Sequence, residues 1–491
     1  MTIGMPSRLR RAALVCAAAG LLLTACTSTV NGHGITAGQV TKPVPSATGP
    51  STPAPSTPTA ASSPAGTASC TSYARPDPQR PKMSLRFTIA AGHQTVQGTE
   101  KIIFRPDKPI TQLVFRLTAN TRPTVAEGNK IVVTAASADH HAGRYRFTPA
   151  NADPTTQGGL LHIPFARTIP AGTAVTASID FRLTLGAESF DRFGRSGAFA
   201  YFGSGEPLLA WERGFGWHSE DMINFPAESA TSEAMDVDLT VVAPTADTVL
   251  MSGDPADPPS AGGTRTWHSK IGAARDVSVA AGPFAVSDSD VNGVRLRVGA
   301  PSALVRDQLV LEFQRAITEL AKHFGPFPFP SLSVARLPAQ GGGIEYPSSI
   351  LMLDGSRLVA VHETAHQWFY AMVGDSQALH PWLDEGFAEY AEQLVNSDRP
   401  NDGALSAPGP VDASTESYGN DVNGYYFTTY NKGAAALFAA RAAAGPSRWD
   451  AALRCYVAAN AWRIVSPPDL RAALAKLPAA IAALRRAGAL R

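Results

Sequence analysis

Two incompatible periodicities meet near residue 300 of this chain, and no single repeating unit can satisfy both. Before that point apolar residues alternate. In "VTASIDFRLTL" Val175, Ala177, Ile179, Phe181, Leu183 and Leu185 share one face, as do Met235, Val237, Leu239 and Val241 in "MDVDLTVVAP". "VRLRV" at 294–298 repeats the pattern. A period of two places side chains on one side of a strand, so residues from about 80 to 290 predict antiparallel sheets with one wet face. Beyond that point Leu304, Leu309, Phe313, Ile317 and Leu320 fall at roughly helical intervals, and "GPFPFP" stops the run. Near the C-terminus Leu470, Leu474, Leu477, Ile481 and Leu484 step by four and three, which predicts a terminal helix packed on the domain. A chain of 491 residues can bury two or three cores. The expected class is α+β and multidomain, with a β-rich domain over 73–292 and a mainly helical one over 293–491.

The first 72 residues carry a different message. "RLRRAA" is basic and "ALVCAAAGLLL" is apolar, too short to span a bilayer comfortably, so residues 1–25 read as a signal peptide. The segment ends in Leu23, Thr24, Ala25 and Cys26, which resembles a bacterial lipobox. That resemblance implies an acylated Cys26, with palmitate-type chains holding the protein to the outer side of the cytoplasmic membrane. Residues 26–72 are rich in Pro, Ser, Thr and Ala, cannot bury enough apolar surface to offset chain entropy, and read as a disordered, extended tether.

Cys70 and Cys455 then remain, at opposite ends of the folded region. Outside the cytoplasm they can form a disulfide, or they can be two buried thiols; spacing alone does not decide. A net charge of +1 with no basic run argues against a nucleic-acid partner.

The chemistry concentrates in "HETAHQWFYAMVGDSQALHPWLDEGFAEY". On a helix, His362 and His366 project from one face and reach a single ion, while Glu363 lies one position round and can address a water. Val359, Val361, Ala365, Trp368 and Phe369 give that helix an apolar body. Zinc suits two imidazoles, one carboxylate and one open position. Glu385, in a second helix starting near Asp384, supplies the carboxylate; Glu389 and Glu392 follow on the same side and can accept hydrogen bonds from the liganding rings.

This H-E-x-x-H, with eighteen residues before the glutamate of "EGFA", resembles the gluzincin signature of peptidase family M1, the aminopeptidase N type. "GGGIEYPS" upstream is similar to the family's G-x-M-E-N segment, and "YNKGA" downstream to its Y-x-K-G-A segment. The resemblance covers roughly residues 80–480. It implies an antiparallel sandwich or saddle domain followed by a thermolysin-like zinc peptidase domain. It implies one zinc ion per chain held by His362, His366 and Glu385, with Glu363 as the general base and Tyr430 as the donor to the oxyanion. Glu345, beside Gly343, would bind the ammonium of a peptide substrate.

Two departures stand out. Ile344 and Tyr346 replace the family's Met and Asn. The second ammonium-binding residue, which the family takes from its β domain, has only Glu206 in "GSGEPLLAW" as a candidate. An endopeptidase or amide hydrolase on the same scaffold, and a catalytically silent binding lipoprotein, are the alternatives. His140, His141, His218 and His380 are scattered and read as structural.

Overall fold

The computed structural model describes residues 70, 72–187, 191–339, 341–398 and 402–491. The signal segment 1–25, Cys26, and the tether apart from residues 70 and 72 lie outside the described residues.

Six strands build the first sheet: β1 (Lys82–Ile89), β2 (Thr95–Phe104), β3 (Lys130–Ala138), β4 (Val175–Thr184), β5 (Met235–Pro244) and β6 (Thr264–Ala274). Their order is β6–β5–β1–β2–β4–β3, antiparallel except for the parallel pair β1 and β5. Alternation governs burial as expected. Val175, Ala177, Ile179, Phe181 and Leu183 point inward from β4, with partly or fully exposed residues between them. A four-stranded sheet containing Ile110–Arg116 and Leu160–Ile169 contributes Leu113, Phe115, Leu161 and Ile163 to the same core. Each such side chain contributes roughly 1.5–3 kcal/mol on full burial.

A second body of structure starts with β7 (Ala285–Val291) and continues through β8 (Val294–Ala300), β9 (Ser331–Arg336), β10 (Gly343–Tyr346) and β11 (Ser349–Met352). These form a sheet in the order β7–β8–β9–β11–β10, with β8, β9 and β11 mutually parallel. The 22-residue helix α1 (Ala303–Phe324) packs Leu309, Phe313 and Ile317 onto Leu296, Val298, Leu332 and Val334. "VRLRV" alternates as expected: Leu296 and Val298 lie against α1, while Arg295, its side chain 36% exposed, and the largely buried Arg297 pair on the other face with Asp254, Asp257 and Asp288. One expectation is corrected here. Leu304 is 71% exposed, because it falls in the first turn after the Ser302 cap, before the helix reaches the sheet.

The remainder is helical: α2 (Arg357–Ala365), α3 (Glu385–Asn396), α4 (Gly433–Ala444), α5 (Pro446–Asn460), α6 (Pro467–Ala473) and α7 (Pro478–Arg486). The terminal leucine stripe is split between α6 and α7. Pro478 lacks the N–H needed to continue α6 and instead opens α7. Leu470, Leu474, Leu477 and Leu484 are nonetheless buried, and Ile481 packs partly buried against them. Similarly, α2 ends at Ala365 with His366 as its cap, so Trp368 and Phe369 lie in a turn beyond it, still buried. Where α3 meets α4, Gly386 and Gly433 touch: a Cβ on Gly386 would fall 3.3 Å from the Gly433 Cα. Cys70 and Cys455 are joined in a disulfide, with Cα atoms 4.9 Å apart. No helix among the described residues is long and apolar enough to cross a membrane.

Candidate metal centre

Helix α2 begins where the Ser356 side chain accepts from the Val359 N–H. It carries His362 and Glu363 and hands the chain to His366, all buried. Helix α3 starts on Glu385, which places that carboxylate in the first turn, facing α2. One donor atom each from His362, His366 and Glu385 lies within 4.8 Å of the others. His362 Nε2 is 3.2 Å and His366 Nε2 3.3 Å from Glu385 Oε2. Ligands of a tetrahedral zinc at about 2.0–2.1 Å stand about 3.3 Å apart, so these spacings fit that ion.

Charge argues the same way. Asp384, Glu385, Glu363 and Glu345 are buried around two imidazoles. Burial, only partly offset by His362, raises the Glu363 carboxyl to about 7. Burial alone would lower the His362 pKa, but hydrogen bonds with Glu385 and Glu392 carry it up to about 10. Burial would likewise raise Glu385, yet His366 and His362 hold it far below the usual carboxylate range. Such a site holds more negative charge than it can bury alone, and a divalent cation answers that imbalance.

Second partners fix the rings. His366 Nδ1 is 2.6 Å from Asp384 Oδ1. His362 Nδ1 is 3.5 Å from Glu392 and 3.7 Å from Glu389, so the two glutamates lie on the side expected, at longer range. Asp384 was legible in sequence only as a helix start; its adjacency to the liganding Glu385 was the available signal.

Glu345 and Gly343 come from β10, which runs along α2. One oxygen of Glu345, one of Glu363 and one ring nitrogen of His366 lie within 4.8 Å of one another. A Cβ on Gly343 would stand 2.3 Å from the Glu363 Cγ, so only glycine lets this strand approach the glutamate. Gln367, which sequence reasoning missed, ties the segments together: its Oε1 accepts from Ser348 N at 2.9 Å and its Nε2 donates to Tyr346 O at 3.0 Å.

Tyr430 stacks on His362, with ring centroids 5.8 Å apart and planes at 7°. It sits in a π-helical stretch, Phe427–Lys432, leading into α4. Such bulges recur at functional sites because they re-aim one side chain. Burial, reinforced by Glu385, raises its phenol well above the usual value, so it stays protonated as a donor. Lys432 Nζ donates to Ala407 O and Gly409 O, both at 2.6 Å, and pins the segment.

Glu206 is fully buried; burial and then Asp276 raise its carboxyl to about 8, and its charge adds to the burial that raises Glu100 on β2. A carboxylate from the β part whose charge bears on the centre is Glu228. Its pKa is raised to about 8, chiefly by burial against the opposing Arg192, with Glu385 and Asp384 adding; Glu345 feels Glu228 in turn. The scattered histidines have local partners: His218 bridges Glu212 and Glu220 at 2.9 Å each, and His380 meets Asp412 at 2.7 Å. His140 occupies a turn with φ 61°, and His141 bridges to Phe165.

No family model matches the sequence. Among curated proteins the chain is 27% identical to aminopeptidase M1-C of Oryza sativa subsp. japonica over 184 residues, 30% of this chain and 21% of that protein. It is 30% identical to aminopeptidase B of Homo sapiens over 118 residues, 21% of this chain and 18% of that one. The chain thus spans about a fifth of the length of these relatives. Solved structures match more widely. An M1 zinc metallopeptidase from Deinococcus radiodurans superposes with a TM-score of 0.61 at 20% identity, over 84% of this chain and 94% of that one. A two-domain M1 zinc metallopeptidase variant bound to L-arginine gives 0.63 at 20% identity, over 84% and 95%. The fold is that of these two-domain metallopeptidases, a β-rich N-terminal part and a helical C-terminal part.

Proposed function

We propose that this chain is a zinc-dependent peptidase that removes N-terminal residues from peptides. The observation that carries this reading is the convergence of His362, His366 and Glu385 at tetrahedral spacing beside Glu363. Zinc held there would acidify a water and polarise the scissile carbonyl. Glu363 has one carboxylate oxygen without a partner among the described residues, and a pKa near neutrality. It takes the proton from the attacking water and delivers it to the departing amine. Tyr430 donates its O–H to the oxygen that becomes negative in the tetrahedral intermediate. Glu345 and Glu228 receive the substrate ammonium, whose positive charge offsets two carboxylates that burial disfavours in their ionised form.

Like the M1-C and B aminopeptidases, this chain would act from the peptide N-terminus; one structural neighbour is a variant bound to a Tyr-Ser-Ala substrate. The protein would work outside the cytoplasmic membrane, held through lipid on Cys26. The Cys70–Cys455 disulfide supports an oxidising compartment. The deciding experiment is digestion of a peptide library by the zinc-loaded protein, by chelated protein and after zinc restoration, alongside N-acetylated counterparts. Zinc-dependent loss of single N-terminal residues, with blocked peptides spared, is expected. Internal cleavage of blocked peptides would replace the aminopeptidase reading with an endopeptidase one.

A further inference from the structure

The turn that follows His366 is held from the β part, by residues that the proposed chemistry does not use. Tyr370 and Ala371 lie in that turn and are buried in the core of the β part. Tyr370 has a φ of 117°, which a residue with a large side chain adopts only where its surroundings impose it. Two neighbours just past the end of β6 grip this tyrosine at both ends. Arg275 Nε donates to the Tyr370 carbonyl at 2.9 Å, and the Tyr370 hydroxyl is hydrogen-bonded to the Asp276 carboxylate, which Ser204 Oγ also reaches at 2.7 Å. Arg275 is only 2% exposed. Its Nη1 donates to Ser232 O at 3.0 Å, and its Nη2 to Arg463 O at 2.8 Å and, at the limit of a hydrogen bond, to Met372 O at 3.5 Å. A Cβ on Gly374 would stand 2.2 Å from the Arg275 Cζ, so glycine lets the returning chain cover the guanidinium.

All four of these acceptors are main-chain carbonyls. A buried cation matched in this way is costly where an apolar side chain would fill the same space. What the planar fork supplies is position: it locks three separate segments, around residues 232, 370–372 and 463, against one rigid group. The middle segment feeds the metal centre. His366 Nδ1 is 3.2 Å from Phe369 O, one residue before the carbonyl that Arg275 holds, and Ala371 N donates to His366 O at 2.9 Å. We propose that Arg275 is a positioning residue for the zinc ligand His366: by clamping the Tyr370 carbonyl it fixes Phe369 O beside the ring and so aims Nε2 at the ion. Arg275 touches neither metal nor substrate in this role, which rests on the reading of His362, His366 and Glu385 as a zinc site.

The test compares the full chain with Arg275→Met, which fills the volume without donors, and Arg275→Lys, which keeps a charge but not the fork. Zinc affinity is read by competition with a chromophoric chelator. Ile131→Ala serves as the control: it opens a cavity in the same core from β3, the sheet edge opposite β6. Arg275→Met should weaken zinc binding by about tenfold or more and lower kcat with KM little changed; Arg275→Lys should fall between it and the wild type. Ile131→Ala should lose stability to urea and keep wild-type zinc affinity. Wild-type affinity in Arg275→Met overturns the proposal. So does full recovery in Arg275→Lys, which would make charge the cause, and so does an equal loss in Ile131→Ala, which would make it a general softening of the β part. If Arg275→Met does not fold, Arg275→Lys and the control decide by the same criteria. A wild-type chain that binds no zinc would defeat the metal reading and this proposal together; zinc bound as tightly without the Arg275 fork would defeat this proposal alone.

Discussion

His366 Nδ1 lies 2.6 Å from Asp384 Oδ1, and Asp384 immediately precedes the carboxylate that faces the other side of the same ring. One aspartate therefore sets the tautomer that leaves Nε2 free for a metal, and Gln377 Nε2, 3.1 Å from its other oxygen, holds the aspartate in turn. Asp384→Asn should weaken zinc binding by about 10–100-fold. Competition against a chromophoric chelator measures this, and unchanged affinity would remove Asp384 from the centre.

Glu363→Gln keeps the shape of the side chain and removes its basicity. Hydrolysis should fall by at least about 10²-fold, with zinc content by elemental analysis still one per chain. Residual activity near the wild-type level would defeat the proposed role of Glu363.

Gly343→Ala tests position rather than chemistry. The added methyl would stand 2.3 Å from the Glu363 Cγ, so strand or glutamate must shift. A displacement of about 1 Å costs on the order of 10² in rate. The expectation is a lower kcat with zinc binding intact; wild-type kinetics would mean that β10 does not set the place of Glu363.

Glu228→Gln probes ammonium recognition. KM for unblocked peptides should rise about tenfold or more, with a smaller change in kcat, because the lost contact serves ground and transition states alike. Glu206→Gln should leave KM unaltered. A reversed result would return the role to Glu206.

Glu206 predicts a pH effect of its own. Burial raises its folded pKa to about 8, against 4.5 for the free side chain. The stability from this raised pKa is fully present below about pH 4.5 and is lost as pH climbs through about 8. At about 1.4 kcal/mol per pK unit, a few kcal/mol is at stake. Glu206→Gln should match the wild type near pH 4.5 and be the more stable at pH 9 by urea unfolding. Parallel pH profiles would contradict the buried-acid assignment.

The division into a β part and a helical part was legible because strand and helix periods differ, and β4 shows the alternation residue by residue. β8 shows it again, with Leu296 and Val298 against α1 and Arg295 and Arg297 paired with exposed aspartates on the other face. The residues of the candidate metal centre were legible because they lie within one helix and the next helix start. Glu228 was not, since no local spacing relates residue 228 to residue 345. Glu206 attracted attention by its neighbours in sequence, whereas the charge that most raises its carboxyl is that of Asp276.

The bridge between Cys70 and Cys455 spans 385 residues of chain and ties the start of the described body to α5. Tension applied ahead of Cys70 would pass through sulfur into a fifteen-residue helix that buries Trp449, Leu453 and Tyr456, and not into β1, which starts at Lys82. A strand peels from its neighbours one rung at a time under a modest pull; a packed helix must be dragged out whole. A protein moored by its leading end would in this way keep its sheet, and the strand that carries Glu345, out of the line of force.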